Sequence, residues 1–230
     1  MSTSKKVSIL YFSDVLCVWA YLAQIRMDEL KKTFGDKVNV ELHFIPVFGS
    51  VESKMEANWK DRGGIQAYGK WVFETAAKFK HVDVNEQIWQ KNIPHSSASC
   101  HLFIKAVQLA DEKGLLPKVA EQSHVERVTW SIRQAFFRDL INVSKLSEQL
   151  KIAEGLGLSV DAIQDEISSG AAFAALNQDF LLKETYRVSG SPTLVFNEGR
   201  QIIYGNVGYR VIEANIQELL KEPPTSLSWC

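Results

Sequence analysis

A cysteine set between an apolar run and a helix-like segment stands where a thiol can become a nucleophile. Residues 7–12 form the apolar run. Cys17 follows within Ser13-Asp14-Val15-Leu16-Cys17-Val18-Trp19-Ala20-Tyr21-Leu22-Ala23. A helix N-terminus carries partial positive charge and unpaired N–H groups, and both favour a thiolate. The expectation is therefore a Cys17 thiol of lowered pKa. Three residues on, Ala20 stands where a Cys-x-x-Cys motif has its second cysteine. A dithiol passes an internal disulfide to its substrate. A lone thiolate instead attacks a disulfide, holds a mixed disulfide and needs an outside thiol to release it. In a cytoplasm that thiol is glutathione. Asp14 precedes the cysteine and suits either a buried proton carrier or a turn and capping residue.

The other chemistry-bearing residues are less organised. Cys100 lies among apolar residues of a helical pattern and reads as a buried structural thiol. Service as a resolving partner would need its Cα within about 7 Å of that of Cys17. Cys230 is the last residue, expected to be frayed. Three cysteines make no disulfide framework. The five histidines show no metal-ligand spacing, so no metal site is expected. His101, next to Cys100, would approach Cys17 if the middle of the chain caps the site. Trp59, Trp71 and Trp89 suit the lining of an apolar cleft or ordinary helix packing.

These residues need elements to hold them. Residues 7–12 lack polar alternation, as a buried central strand does. Helical composition follows to about residue 34, and Gly35 is a stop. Residues 38–47 alternate in part and read as a second strand, with Pro46 near its end. From about 50 to 187 the signals are helical. Leu102, Ala106, Leu109 and Ala110 share one helix face, with Ser96-Ser97-Ala98-Ser99 supplying an N-cap. Strand character returns in Thr193-Leu194-Val195-Phe196 and Gln201-Ile202-Ile203-Tyr204, joined by a hairpin turn at Asn197-Glu198-Gly199-Arg200. Ile212, Ile216, Leu219 and Leu220 mark a last helix before Pro223-Pro224.

That order, with a cysteine after the first strand and Gly190-Ser191-Pro192-Thr193 before the third, resembles the DsbA superfamily across nearly the whole chain. Two branches share its details. FrnE-like disulfide oxidoreductases carry Asp-x-x-Cys-Pro-Trp-Cys-Tyr. Asp14, Cys17, Trp19 and Tyr21 match, while Val18 replaces the proline and Ala20 the second cysteine. Kappa-class glutathione transferases and 2-hydroxychromene-2-carboxylate isomerases carry Ser-Pro-Tyr/Trp-x-Tyr-Leu-Ala. Trp19 and Tyr21-Leu22-Ala23 match, and Cys17 replaces the catalytic serine. The Gly-x-Pro-Thr of both branches matches Gly190-Ser191-Pro192-Thr193.

The resemblance implies an α/β protein: a thioredoxin-like fold with a large all-helical insertion. Residues 1–49 and 188–230 would form the thioredoxin-like domain and residues 50–187 the insertion, with the active cleft between them. It implies a cis Pro192 whose turn sets the Ser191 backbone against Cys17, free to pair with glutathione or an extended peptide. The Ser191 hydroxyl would donate to the sulfur and lower its pKa further. Trp19 would shape the rim, Asp14 and Ala20 would support the site, and Asn206 would stand where the kappa branch has an acid for the γ-glutamyl end of glutathione. The first expectation is thus a monothiol, glutathione-linked thiol–disulfide oxidoreductase with no tightly bound cofactor. The alternatives are a kappa-like transferase or isomerase, and a redox-inactive binding module or sensor. The net charge of −1 carries no basic field for nucleic acid or an anionic membrane, and no run is long enough to span a bilayer. A cytoplasmic protein is expected, with glutathione, a thiol or disulfide substrate and a possible second copy of the chain as partners.

Overall fold

A computed structural model describes residues 6–118 and 122–221. The chain opens with strand β1 (Val7–Ser13), helix α1 (Val18–Phe34) and strand β2 (Val38–Phe44). Among the described residues, seven α-helices then run without a strand: α2 (Val51–Trp59), α3 (Gly64–Ala76), α4 (Ala98–Glu112), α5 (His124–Phe137), α6 (Leu146–Gly155), α7 (Val160–Ser168) and α8 (Ala171–Thr185). Strands β3 (Thr193–Phe196) and β4 (Gln201–Tyr204) and helix α9 (Tyr209–Leu220) complete the fold. Pro223, Pro224 and Cys230 lie outside the described residues.

The sheet order is β2-β1-β3-β4, with β1 and β2 parallel and β3 and β4 antiparallel to their neighbours. This is a thioredoxin-like fold with a helical insertion between β2 and β3. Central β1 is buried on both faces, which explains its unbroken apolar character. Val7, Ile9 and Tyr11 pack with Met27 and Leu30 of α1 and Ile212 and Ile216 of α9. Phe12 faces the other way, with Ile45, Val188 and Val195. A third and larger core runs from Leu16 and Cys17 into α3, α4 and α5, so the helices of the insertion share an apolar interior with the start of α1. β2 ends at Phe44, before Pro46, because proline cannot extend a ladder.

Helix starts follow side-chain chemistry where it is available. Ser50 and Ser159 cap α2 and α7, and Ser123 with Glu126 forms a capping box on α5. Of the serines expected to cap α4, Ser96 accepts from Ala98 N–H at 3.0 Å, while the hydroxyl of Ser97, the N-cap residue, points elsewhere. In α3, Gly69 permits a close approach: a Cβ there would lie 2.3 Å from the Ile88 carbonyl oxygen. That approach brings α3 against the loop carrying Trp89.

Candidate active site

Cys17 is the N-cap residue of α1, in extended conformation at φ −82° and ψ 115°. The turn before it is held at every N–H. Asp14 donates to the Ser191 hydroxyl at 2.9 Å and Val15 to His101 Nε2 at 3.3 Å. Leu16 donates to Asp14 Oδ1 at 2.8 Å and Cys17 to the Asp14 carbonyl at 3.1 Å. Four consecutive amides are thereby satisfied without water, as a buried turn requires. The Cys17 thiol donates to the Ser191 carbonyl at 3.3 Å, and the Ser191–Pro192 peptide bond is cis.

Asp14 is the hub of this arrangement and is fully buried. Besides Leu16, its carboxylate accepts from Phe48 N–H at 2.9 Å and from the Ser97 hydroxyl at 2.7 Å. His101 Nε2 lies 3.7 Å from Asp14 Oδ1. Because Nε2 accepts from Val15, the ring proton sits on Nδ1, which has no partner among the described residues. Burial pushes the His101 pKa below its ordinary 6.5, against the pull of Asp14, so the ring is neutral at pH 7. Asp14 thus ties three segments together: the β1–α1 turn, the loop after β2 and the start of α4.

The thiol is more enclosed than its position at a helix start suggests. Cys17 is 6% exposed. Burial pushes its pKa up, and the Ser191 side chain and the N–H groups of Ala20 and Trp19 act the other way. The expected lowering is therefore corrected: the helix terminus favours the thiolate, but desolvation outweighs it while the site is closed. The Ser191 hydroxyl works in the expected direction on the sulfur, yet its oxygen also accepts from Asp14. The Ser191 carbonyl is not free, since the thiol occupies it, whereas the Ser191 N–H makes no hydrogen bond among the described residues.

Aromatic rings pack together beside the start of α1, where the active cleft was expected. Trp19, on the first turn of α1, meets Trp71 of α3 edge-on at 5.9 Å. Trp71 contacts Tyr68 at 5.7 Å and Trp59 of α2 at 5.8 Å. Tyr68 lies close enough to Cys17 for a thiolate there to raise its phenol pKa, second to burial. Trp89 is fully buried, on Phe48 at 5.2 Å and Phe136 at 4.8 Å, and acts as core. Ala20 is buried at the place of the missing cysteine. Cys100 is turned to the Val143 carbonyl at 3.1 Å and to Gln149, with its thiol pushed up to about 12 by burial. Both described cysteines are free. Asn206 sits in a turn whose Gly205 N–H bonds the Pro192 carbonyl, and its Oδ1 accepts from Arg26 at 2.6 Å. Asn206, set by the resemblance against the γ-glutamyl end of glutathione, thus carries an internal partner at that oxygen.

Sequence reading missed Ser97, Phe48, Arg26 and Tyr68 as members of this neighbourhood. No motif marks them, and each reaches the site through topology. Among the described residues no cluster of three or more His, Cys, Asp or Glu can hold a metal, and no helix is long and apolar enough to cross a membrane.

A family model of the DSBA-like thioredoxin domain matches residues 8–217. No curated protein matches. Among solved structures, a putative protein disulfide isomerase from Nitrosomonas europaea superposes with a TM-score of 0.71 at 16% identity, covering 94% of this chain and 98% of its own. The cytosolic disulfide reductase DsbM from Pseudomonas aeruginosa, solved with GSH, gives 0.62 at 16%, covering 91% and 99%. A 2-hydroxychromene-2-carboxylate isomerase gives 0.59 at 17%, covering 92% and 95%.

Proposed function

The chain belongs to the DSBA-like thioredoxin domain family, and from that footing we propose that it exchanges thiols and disulfides through Cys17 alone, with glutathione as the second thiol. The Cys17 thiolate attacks one sulfur of a disulfide; the S–S bond breaks and the departing thiolate takes up a proton. The resulting mixed disulfide is resolved when a second thiolate attacks the outer sulfur and returns Cys17. The observation that carries this reading is the Cys17 thiol at a helix N-cap, 3.3 Å from the Ser191 carbonyl beside Pro192. Ala20 removes the internal resolving thiol, which makes an external one necessary. The unpaired Ser191 N–H suits the backbone of an extended ligand, and a fold relative solved with GSH supports the choice of thiol.

The closed aromatic cover sets the conditions. Opening the interior around Cys17 relieves the desolvation that raises its pKa and leaves the favourable N–H groups in place. Reactivity is then coupled to substrate entry. The test is intact mass after exposure to oxidised glutathione. One glutathione adduct on the Cys17 peptide, absent in Cys17→Ser, is expected. No adduct, or adducts confined to Cys100 or Cys230, would overturn the proposal. Isomerase or transferase turnover surviving in Cys17→Ser would favour the kappa-like alternative instead.

A further inference from the structure

β2 is an edge strand of the sheet. Its inward side faces β1: Ile45 N–H, one residue beyond the strand, bonds the Ser13 carbonyl. By alternation Phe44, Leu42 and Val40 turn their backbone N–H and C=O groups outward. Phe44 N–H has a partner there, Asp179 Oδ2 at 2.7 Å. Leu42 and Val40 have none among the described residues. They border a cleft of about 470 Å³, walled on its far side by the end of α4 and the start of α5. The cleft therefore presents unpaired strand edge, which folded proteins ordinarily cover.

Its charge is one-sided. Glu41, Asp111 and Glu112 line it with no lysine or arginine partner among the described residues. The one lysine on its wall, Lys31, is paired with Glu126. His43 supplies an independent sign. It is nine-tenths buried, lines the same cleft, and is stacked on Phe12 at 5.1 Å. Its Nδ1 meets Asp179 Oδ1 at 2.7 Å, and Asp179 is itself held by Lys105 at 2.9 Å. His43 Nε2, buried in the cleft wall, has no hydrogen-bond partner among the described residues and lies 3.9 Å from Glu41 Oε2.

We propose that this cleft binds an extended, lysine- or arginine-bearing peptide segment, which adds as a strand to β2 beside Leu42 and Val40. The backbone supplies the pairing, Glu41, Asp111 and Glu112 receive the cationic side chains, and the unpartnered His43 Nε2 offers a polar contact in the wall. The site is separate from Cys17 and does not depend on its chemistry.

A short acetylated peptide alternating lysine with threonine and valine is the probe, with its glutamate counterpart and spermine as controls. Binding is followed by fluorescence anisotropy and by backbone amide NMR on the full chain. The lysine peptide is expected to shift the Val40 and Leu42 amides, slow their hydrogen exchange, and bind about tenfold or more tightly than the glutamate peptide. Asp111→Lys with Glu112→Lys should weaken it about tenfold. Val40→Pro removes an outward N–H without a ladder bond and should abolish strand pairing. Equal affinity for both peptides overturns the proposal. So does spermine matching the peptide with no slowing of exchange at Val40 and Leu42, which would make the cleft a polyamine site. The wild-type exchange measurement decides the matter if Val40→Pro fails to fold.

Discussion

At Cys17 two opposed effects act on one sulfur, and their balance is measurable. Burial raises the thiol pKa, while Ser191 and the N–H groups of the first turn lower it. The alkylation rate of folded protein should therefore rise through a midpoint above the ordinary thiol value of about 8.5. Ser191→Ala should move that midpoint further up, because it deletes a group that lowers it; a downward move would contradict the assignment. Asp14 makes a second residue-scale case. Asp14→Ala leaves the amides of Leu16 and Phe48 and the Ser97 hydroxyl without their acceptor in a dry interior. A loss of about 3 kcal/mol or more in urea unfolding is expected. His101 contributes the pH dependence. Its folded pKa lies below the unfolded value of 6.5, so the unfolded chain binds more protons below that pH. Its stabilising contribution is complete above about pH 6.5 and declines on acidification. His101→Gln should reduce the fall in Tm between neutral and mildly acid buffer.

At the scale of elements, the first turn of α1 and the α2–α3 pair behave as a covered site. Trp71 bridges Trp19, Tyr68 and Trp59, so it is the ring whose removal should open the thiol most. Trp71→Ala should lower the alkylation midpoint of Cys17 and quicken the reaction at neutral pH, at a stability cost of about 2 kcal/mol. An unchanged midpoint would show that the rings do not control access. The strands, the hairpin and the first and last helices were legible in the sequence because period and turn residues report elements directly. The enclosure of Cys17 was not. It depends on Tyr68 and Trp71 arriving from α3, and nothing in the spacing of aromatics says which of them face a neighbour. Ser97 shows the same limit. Its place before a helical run suggests a cap, yet its hydroxyl reaches Asp14, 83 residues away. His43, Lys105 and Asp179 carry no motif, and only the packing of α4 and α8 against β2 unites them.

For the whole molecule, the insertion and the sheet share an interior, and Cys17 lies at their seam. A glutathionyl group on its sulfur must displace part of that seam, where Cys17 is buried. The mixed disulfide should therefore unfold about 2–10 °C below the reduced protein in a thermal scan. An unchanged or raised Tm would mean that the adduct finds a ready-made berth. The carbonyl that Cys17 faces is also 174 residues downstream in the chain. On the ribosome, the first two strands and every helix of the insertion emerge before that partner exists. Throughout that interval the thiol lacks that acceptor. A growing polypeptide should thus hold this sulfur without its carbonyl partner until the turn before the third strand leaves the exit tunnel.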